Sequence, residues 1–333
     1  MPCKAYLQRR LHNVTYKALE LEQPDRFALE GLEVGITSNC NFRCDYCCAY
    51  QRNDGEAIHA KSVIRVLEEV PTLKRVRLSG GEVTLKYDDC LEVVRYCSSR
   101  GIHTQLNSNG SLLNPRRIAA LSDAGLTSIH MSFNFTNAEA FSAYYGIHPS
   151  VYKKIRENIL RFAQDSAVDT VLETLLFEET QDKMRAIHED VYSLGVRIHE
   201  IQNSIVMNHT GWRAIAARDR LQQAVQELID MKQDDMTLYF TCMDRFMDKL
   251  GFKEAPGVYF PNCIEGKKQL HLHGNGDLLI SELCYPVKIG NVYKGTSLAR
   301  LYEEDYMPAP LADFLKKQPC PALTALFPED QTV

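Results

Sequence analysis

From residue 32 onward, short runs rich in β-branched and apolar residues alternate with longer stretches whose apolar residues recur every three or four positions. The first pattern fits buried strands and the second fits amphipathic helices. Six strands are predicted: LEVGIT (32–37), RVRLS (75–79), HTQLNS (103–108), SIHMSF (128–133), DTVLETLL (169–176) and VRIHEI (196–201). The helical pattern falls over residues 58–69, 87–100, 115–124, about 152–163 and 181–194. Gly101, Gly125 and Gly195 follow three of these helices and suit the left-handed backbone that closes a helix. Strands alternating with helices predict parallel pairing through right-handed crossovers, an α/β fold. An open doubly wound sheet and a curved partial barrel both fit, and both place chemistry at the C-terminal ends of the strands.

The pattern changes after residue 201. Residues 212–231 read as one long helix and 239–257 as irregular or helical. QLHLHGNGDLLISELC then carries two short β-rich runs around Gly274-Asn275-Gly276-Asp277, a strong hairpin signal. A boundary near residue 235 divides the chain into an N-terminal segment (1–30), a βα region (31–235) and a smaller α+β region (236–333). No internal repeat longer than the βα unit is present.

The 333 residues are 45% hydrophobic and 24% charged, values that exclude a disordered or collagen-like chain. The net charge of -5, without a long run of one sign, argues against nucleic acid as a partner. No stretch approaches the roughly 20 apolar residues of a membrane helix. The opening MPCKAYLQRRLHNV lacks the apolar centre of a secretory signal, so the expected location is the cytoplasm.

Eleven cysteines change the picture. In a cytosolic chain, clustered cysteines point to metal or redox chemistry. Cys40, Cys44, Cys47 and Cys48 crowd into CNFRCDYCC directly after the first strand, whereas Cys263, Cys284 and Cys320 are spread along the last quarter. Cys3, Cys90, Cys97 and Cys242 have no clustered partner; Cys90 and Cys97, one heptad apart, fit a helix core. The spacing Cys40-x3-Cys44-x2-Cys47 can hold three irons of a 4Fe–4S cluster and leave the fourth open to a small chelating ligand. A zinc site would close with four protein ligands, and no nearby histidine supplies one. Cys48, adjacent to Cys47, points elsewhere and is not expected to be a ligand. SGGE (79–82) follows the second strand: paired glycines permit close backbone approach, and a carboxylate complements an ammonium. LNSNG (106–110) ends the third strand.

These motifs, in this order over residues 32 to about 201, resemble the radical S-adenosylmethionine (SAM) superfamily. The resemblance implies a partial (β/α)6 TIM-like barrel with a small C-terminal α+β extension containing the hairpin. It implies that Cys40, Cys44 and Cys47 hold a 4Fe–4S cluster and that Tyr46 contacts the adenine of SAM. Gly80, Gly81 and Glu82 would bind the methionyl amino group. Asn107, Ser108 and Asn109 correspond to the ribose-contacting segment, and Ser132 and Thr174 fall where polar SAM contacts often lie. One position departs from the pattern: many relatives carry an aspartate two residues beyond the strand-four serine, and here Asn134 stands there. An amide cannot act as a base. The C-terminal Cys263, the hairpin, Cys284 and KIGNVYKGTSLARLYEE resemble the twitch or SPASM extension, with Cys320 as a third thiol. The usual closing CxxC pair is reduced to one cysteine in CPALTAL, so at most one auxiliary 4Fe–4S cluster is expected, its fourth iron left for substrate, water or Cys242.

The chemistry so implied is reductive cleavage of SAM to a 5′-deoxyadenosyl radical that abstracts hydrogen from an unactivated C–H bond. The electron donor would be a flavodoxin or ferredoxin. An auxiliary cluster would accept an electron from the substrate radical or anchor the substrate. Three readings follow. The first is an enzyme acting on a small molecule (a sugar, aminocyclitol or nucleotide-like compound) in natural-product or cofactor biosynthesis. It is favoured by the single auxiliary site and by the roughly 30 residues before the first strand, few for a leader-recognition module. The second is a maturase of a ribosomally made precursor peptide. The third, a non-catalytic zinc or iron–sulfur module, has no use for SGGE after the second strand. Substrate contacts are expected in the loops and in residues 202–260. His199, His209, Tyr144 and Tyr145 are candidates for which a core or surface role fits as well.

Overall fold

In the computed structural model, residues 29–44, 46–47, 55–165, 167–203, 205–208, 211–214, 217–282, 286–302, 306–317, 320, 323 and 326–327 are described. The N-terminal segment up to residue 28, Cys3, Cys48, His209 and Cys284 lie outside them.

β1 (Gly31–Thr37) is buried along its whole length. It is followed by α1 (Ala60–Glu68), β2 (Arg75–Gly80), α2 (Tyr87–Ser99), β3 (His103–Ser108), α3 (Pro115–Asp123) and β4 (Ser128–Ser132). Two helices, α4 (Ala138–Tyr145) and α5 (Pro149–Asp165), then lead to β5 (Asp169–Leu175), α6 (Met184–Ser193) and β6 (Ile198–Gln202). Each of these strands pairs in parallel with the next, and the order β1 to β6 never reverses. A doubly wound sheet must reverse at a switch point. Winding in one direction keeps right-handed crossovers on one face, and the sheet curls as a partial barrel.

The sheet continues at both ends without closing. After the hairpin β7 (Ile205–Asn208) and β8 (Gly211–Ala214) and helix α7 (Arg218–Met231), β9 (Thr237–Thr241) adds in parallel to β6, and β10 (Val258–Tyr259) adds to β9. At the other end, β11 (Gln269–Leu272) pairs in parallel with β1; β12 (Asp277–Leu279) and β13 (Lys288–Asn291) follow antiparallel. Helix α8 (Ala309–Lys317) lies near the end of the chain. Among the described residues the result is one eleven-stranded sheet.

Strand parity decides what goes where, because successive side chains leave opposite faces of a strand. Leu32, Val34 and Ile36 of β1, Val76 and Leu78 of β2, Ile129 and Met131 of β4, and Leu270 and Leu272 of β11 join the helices in one core. Val63, Val66 and Leu67 of α1 and Cys90, Val94 and Cys97 of α2 complete it on the helix side, so the two cysteines one heptad apart are core residues. The alternate positions (Glu33, Arg75, Arg77, Gln105, Asn107, His130, Glu173, Glu200, Gln269, His271) are polar and face the concave side.

The predicted strands and helices of the first 201 residues recur with shifts of one to a few residues, and Gly101 and Gly125 close their helices at φ 67° and 87°. Three expectations need correction. The helix over 212–231 begins only at Arg218, because Gly211–Ala214 pairs with Ile205–Asn208 as a hairpin. The segment 239–257 is not irregular from its start: Thr237–Thr241 is a buried strand whose backbone groups are taken up by β6. The eight-residue α4, capped by the Asn137 side chain and ended by Gly146 at φ 66°, was absent from the predicted elements; Phe141, Tyr144 and Tyr145 stand at i, i+3 and i+4, but the helix is barely two turns long, too short for the spacing to stand out. Among the described residues no helix is long and apolar enough to cross a membrane.

Candidate active site

The concave side of the sheet opens at the C-terminal ends of the strands into a cavity of about 340 Å³. Cys40, Cys44 and Cys47 line it beside Gly80, Gly81 and Glu82, with Asn107, Ser108, Asn109 and Ser132 on the neighbouring strand ends. Contacts between loops hold this rim together. The Gly81 N–H donates to Thr37 O at 2.6 Å and the Glu82 N–H to Asn39 O at 2.8 Å. A Cβ on Gly80, which sits at φ 125°, would run into Thr37 O, and one on Gly81 into Asn39 O. The paired glycines therefore let the turn after β2 press against the root of the cysteine loop. Asn41 Nδ2 donates to Ser111 Oγ at 2.8 Å, and Asn109 Nδ2 to Asn41 Oδ1 at 3.0 Å, which ties the same loop to the one after β3.

Within the cysteine loop the Phe42 N–H donates to Cys40 Sγ at 3.3 Å, and the Cys47 N–H to Cys44 O at 3.1 Å. Arg43 Nη1 donates to Cys40 O at 2.5 Å and Phe42 O at 2.9 Å, bracing the turn. Burial is the main cause that raises the Cys40 thiol above its usual range. Among the described residues no three cysteine sulfurs lie within 4.8 Å of one another, as ligands of a single ion would. Three thiols from one short loop suit three irons of a cluster, whereas a structural zinc closes with four protein ligands.

Glu82 is 1% exposed and more heavily engaged than the sequence suggests. Its Oε1 accepts from the Thr84 N–H at 3.0 Å, from Ser108 Oγ at 2.7 Å and from the Thr84 hydroxyl; its Oε2 accepts from the Asn109 N–H at 2.8 Å. The carboxylate thus joins the loops after β2 and β3, and Oε2, with one protein donor, keeps acceptor capacity.

One wall of the cavity is aromatic. Phe42, Tyr46, Phe135, Phe141 and Tyr145 line it, with Tyr144 and Phe177 packed on Tyr46 at centroid distances of 6.2 and 5.4 Å. Asn134 organises this wall: Oδ1 accepts from the Leu175 N–H at 2.9 Å, and Nδ2 lies 3.3 Å from the Tyr46 hydroxyl and 3.2 Å from that of Tyr145. The amide accepts from the backbone N–H and donates to the hydroxyls at once. Burial first, then the neighbouring Tyr145, holds the Tyr46 phenol well above its ordinary pKa.

The floor is charged. His130 Nδ1 lies 2.8 Å from Glu173 Oε1 and 3.4 Å from Glu200 Oε2; His271 bonds to Glu265 through Nε2 and lies 3.7 Å from Glu33 Oε2 through Nδ1. Arg77 Nη1 lies 3.5 Å from Glu33 Oε2. Burial, the largest single influence, would raise Glu200, but the bond and charge of His130, with Gln202 and Arg77, together outweigh it and hold the carboxyl at about 2. Burial would lower His271, yet Glu265 and Glu33 raise it to about 9; Glu173 and Glu200 likewise raise His130. Burial opposes, and Arg77 and His271 achieve, the lowering of Glu33.

Not every residue singled out in the sequence reaches this site. Thr174 is turned away: fully buried, its hydroxyl donates to Phe133 O at 2.6 Å and lies 2.9 Å from His199 Nε2, and it does not line the cavity. The expected SAM contact at Thr174 is therefore corrected, because parity sends this side chain to the helix face of β5. His199 is buried on the same side, against His188 at 3.0 Å. Cys263 lines the cavity, and its N–H donates to Asp244 Oδ2 at 3.0 Å; burial pushes its thiol up to about 12. Cys320 is half-buried against the core and does not line the cavity. Cys242 does line it, held at φ 60° just beyond β9. Sequence reading missed the floor residues Arg77, His130, Glu173, Glu200, Glu265 and His271. The available signal was the polar residue at every second strand position, which reads equally well as a solvent-facing edge.

Residues 34–191 match the family model of the Radical SAM superfamily. YfkA of Bacillus subtilis (strain 168) is 24% identical over 314 residues, covering 86% of this chain and 83% of that protein. The PqqA peptide cyclase of Rhodopseudomonas palustris (strain ATCC BAA-98 / CGA009) is 26% identical over 199 residues, 59% of this chain and 51% of the cyclase, so the chain spans about half the length of that relative. Among solved structures, Streptococcus suis SuiB bound to precursor peptide SuiA superposes with a TM-score of 0.69 at 15% identity, covering 94% of this chain and 70% of SuiB. That likeness is one of fold.

Proposed function

The chain is a radical SAM enzyme by its residues 34–191, and on that footing we propose that it abstracts hydrogen from a small polar molecule held over the barrel floor. The substrate class proposed is a sugar, an aminocyclitol or a nucleotide-like compound. The observation that carries the reading is that one cavity is lined at once by three loop thiols, the Gly80-Gly81-Glu82 turn and a polar floor. Cys40, Cys44 and Cys47 would hold the 4Fe–4S cluster, and Tyr46, Gly80, Gly81, Glu82, Asn107, Ser108, Asn109 and Ser132 would meet SAM. Bound together, cluster and SAM supply a one-electron reductive cleavage that makes an unactivated C–H bond reactive. The protein's own part is to orient and to exclude water. The aromatic wall around Tyr46 keeps the upper cavity apolar, Glu82 fixes two loops in one register, and Asn134 holds two tyrosines without offering a base.

Residues 236–333 are read as the auxiliary-cluster region, with Cys263, Cys284 and Cys320 as its thiols. A flavodoxin or ferredoxin in the cytoplasm would deliver the electron. A second reading, modification of a precursor peptide, is favoured by the likeness to the PqqA peptide cyclase. Anaerobic reconstitution followed by incubation with metabolite and peptide candidates tests both. Substrate-dependent 5′-deoxyadenosine is expected, and its absence with every reductant and candidate, alongside an intact cluster, would overturn the enzyme reading.

A further inference from the structure

Beneath the thiols and the aromatic wall, the floor is an array of opposite charges set beside one another. His130 lies between Glu173 and Glu200, and His271 lies between Glu265 and Glu33. Arg75 bonds to Gln269. Arg77 is different. Its Nε donates to Asn107 Oδ1 at 3.3 Å and its Nη1 lies 3.5 Å from Glu33 Oε2, but Nη2 makes no hydrogen bond among the described residues. Its side chain is 25% exposed and lines the cavity, two residues before the Ser79–Glu82 turn. The same cavity is lined by the neutral side chains Gln105, Asn107, Gln202, Thr241 and Ser281, while the carboxylates of Glu33, Glu173, Glu200 and Glu265 stabilise the Arg77 charge.

We propose that Arg77 is a specificity-determining residue that takes an uncharged acceptor oxygen of the substrate, a hydroxyl or an amide carbonyl, and that the paired floor rejects an ion there. The inference rests on the reading of this cavity as the substrate site. An anion reaching Arg77 would lose its hydration and meet Glu33 and Glu200, whose charges already offset the guanidinium. A cation would meet Arg75 and Arg77 with no carboxylate free of a partner. A neutral oxygen meets neither repulsion and receives a charge-assisted hydrogen bond from Nη2.

Acetamide, acetate and acetamidinium have nearly the same shape and differ in charge. They are soaked at equal concentration into crystals of the full, cluster-reconstituted chain, and their affinities are measured in solution. Acetamide is expected on Arg77, with acetate and acetamidinium absent. Arg77→Met, which keeps the stem and removes the donors, should weaken acetamide about tenfold or more, with Arg77→Lys between the two. Preference for acetate or acetamidinium, equal acetamide binding in the variants, or no probe at Arg77 would each overturn the proposal. The wild-type selectivity alone decides if Arg77→Met fails to fold. Competition by myo-inositol or by N-acetylalanine methylamide tells a polyol from a peptide unit, and displacement by neither counts against a substrate role. 5′-Deoxyadenosine formation on the same preparation tests the enzyme reading separately, since probe binding does not require SAM cleavage.

Discussion

Replacing Glu82 with alanine removes the carboxylate that joins two loops of the site. Four donors lose their acceptor at once: the Thr84 and Asn109 N–H groups, at 3.0 and 2.8 Å, and the hydroxyls of Thr84 and Ser108. The hydroxyls can rotate, and Ser108 Oγ keeps its bond from the Gly110 N–H at 3.0 Å. The two backbone groups cannot re-aim. A buried donor without a partner costs roughly 1–3 kcal/mol, so two cost about 2–6 kcal/mol, a large part of a typical folding free energy. Urea unfolding of the Glu82→Ala protein under anaerobic conditions should report a loss in that range, with an unchanged slope. SAM binding should weaken about tenfold to a hundredfold in the fraction that stays folded. Glu82→Gln keeps the shape but opposes an amide N–H to a donor, and should fall between the two. If Glu82→Ala unfolds within about 0.5 kcal/mol of the wild type, the carboxylate does not organise these loops and the reasoning is wrong.

Alanine at Cys40, Cys44 or Cys47 should abolish SAM cleavage and the cluster spectrum together, while Cys48→Ala keeps both; full cleavage by Cys44→Ala with intact dithionite reduction would refute the cluster assignment. Iron analysis should give about eight irons per chain if Cys263, Cys284 and Cys320 hold a second cluster, against about four without it; a triple alanine variant that kept wild-type iron would refute the second site. His188 is pushed down to about 4, mainly by burial, from an ordinary 6.5. The unfolded chain therefore gains a proton near pH 6.5 that the folded chain refuses until about pH 4. Roughly 3 kcal/mol of stability present above pH 6.5 should disappear as the pH falls through that window. His199, held well below its ordinary range by burial and by His188, adds to the same acid limb, whereas the raised His130 and His271 are protonated in both states there and leave the slope alone. His271 acts on the other side: its contribution is full below pH 6.5 and is lost as the pH rises through about 9. Unfolding free energies measured from pH 4 to 9 check both limbs, and a flat acid limb would show that neither His188 nor His199 is held neutral.

The sequence by itself determined the strand–helix rhythm, the parallel sheet and the cysteine loop with its following SGGE turn. These are local facts: a strand's apolar run, a helix's spacing and a loop of three thiols can each be read within a dozen residues. It also showed that Cys90 and Cys97 belong to a core. What tertiary structure alone decided was the meaning of the polar half of each strand. Arg77, His130, Glu200 and His271 alternate with apolar residues just as solvent-facing residues do, and only winding in one direction curls that face inward to make a floor. The same parity moved Thr174 from the cavity to the helix face, although its position in the chain matched a family contact. The strand Thr237–Thr241 was hidden for a related reason: its hydrogen bonds come from β6, about 40 residues earlier, and no local pattern announces them. Glu82 carries both kinds of information. Its identity marks the motif, while its four donors come from two loops that meet only after β2 and β3 have paired.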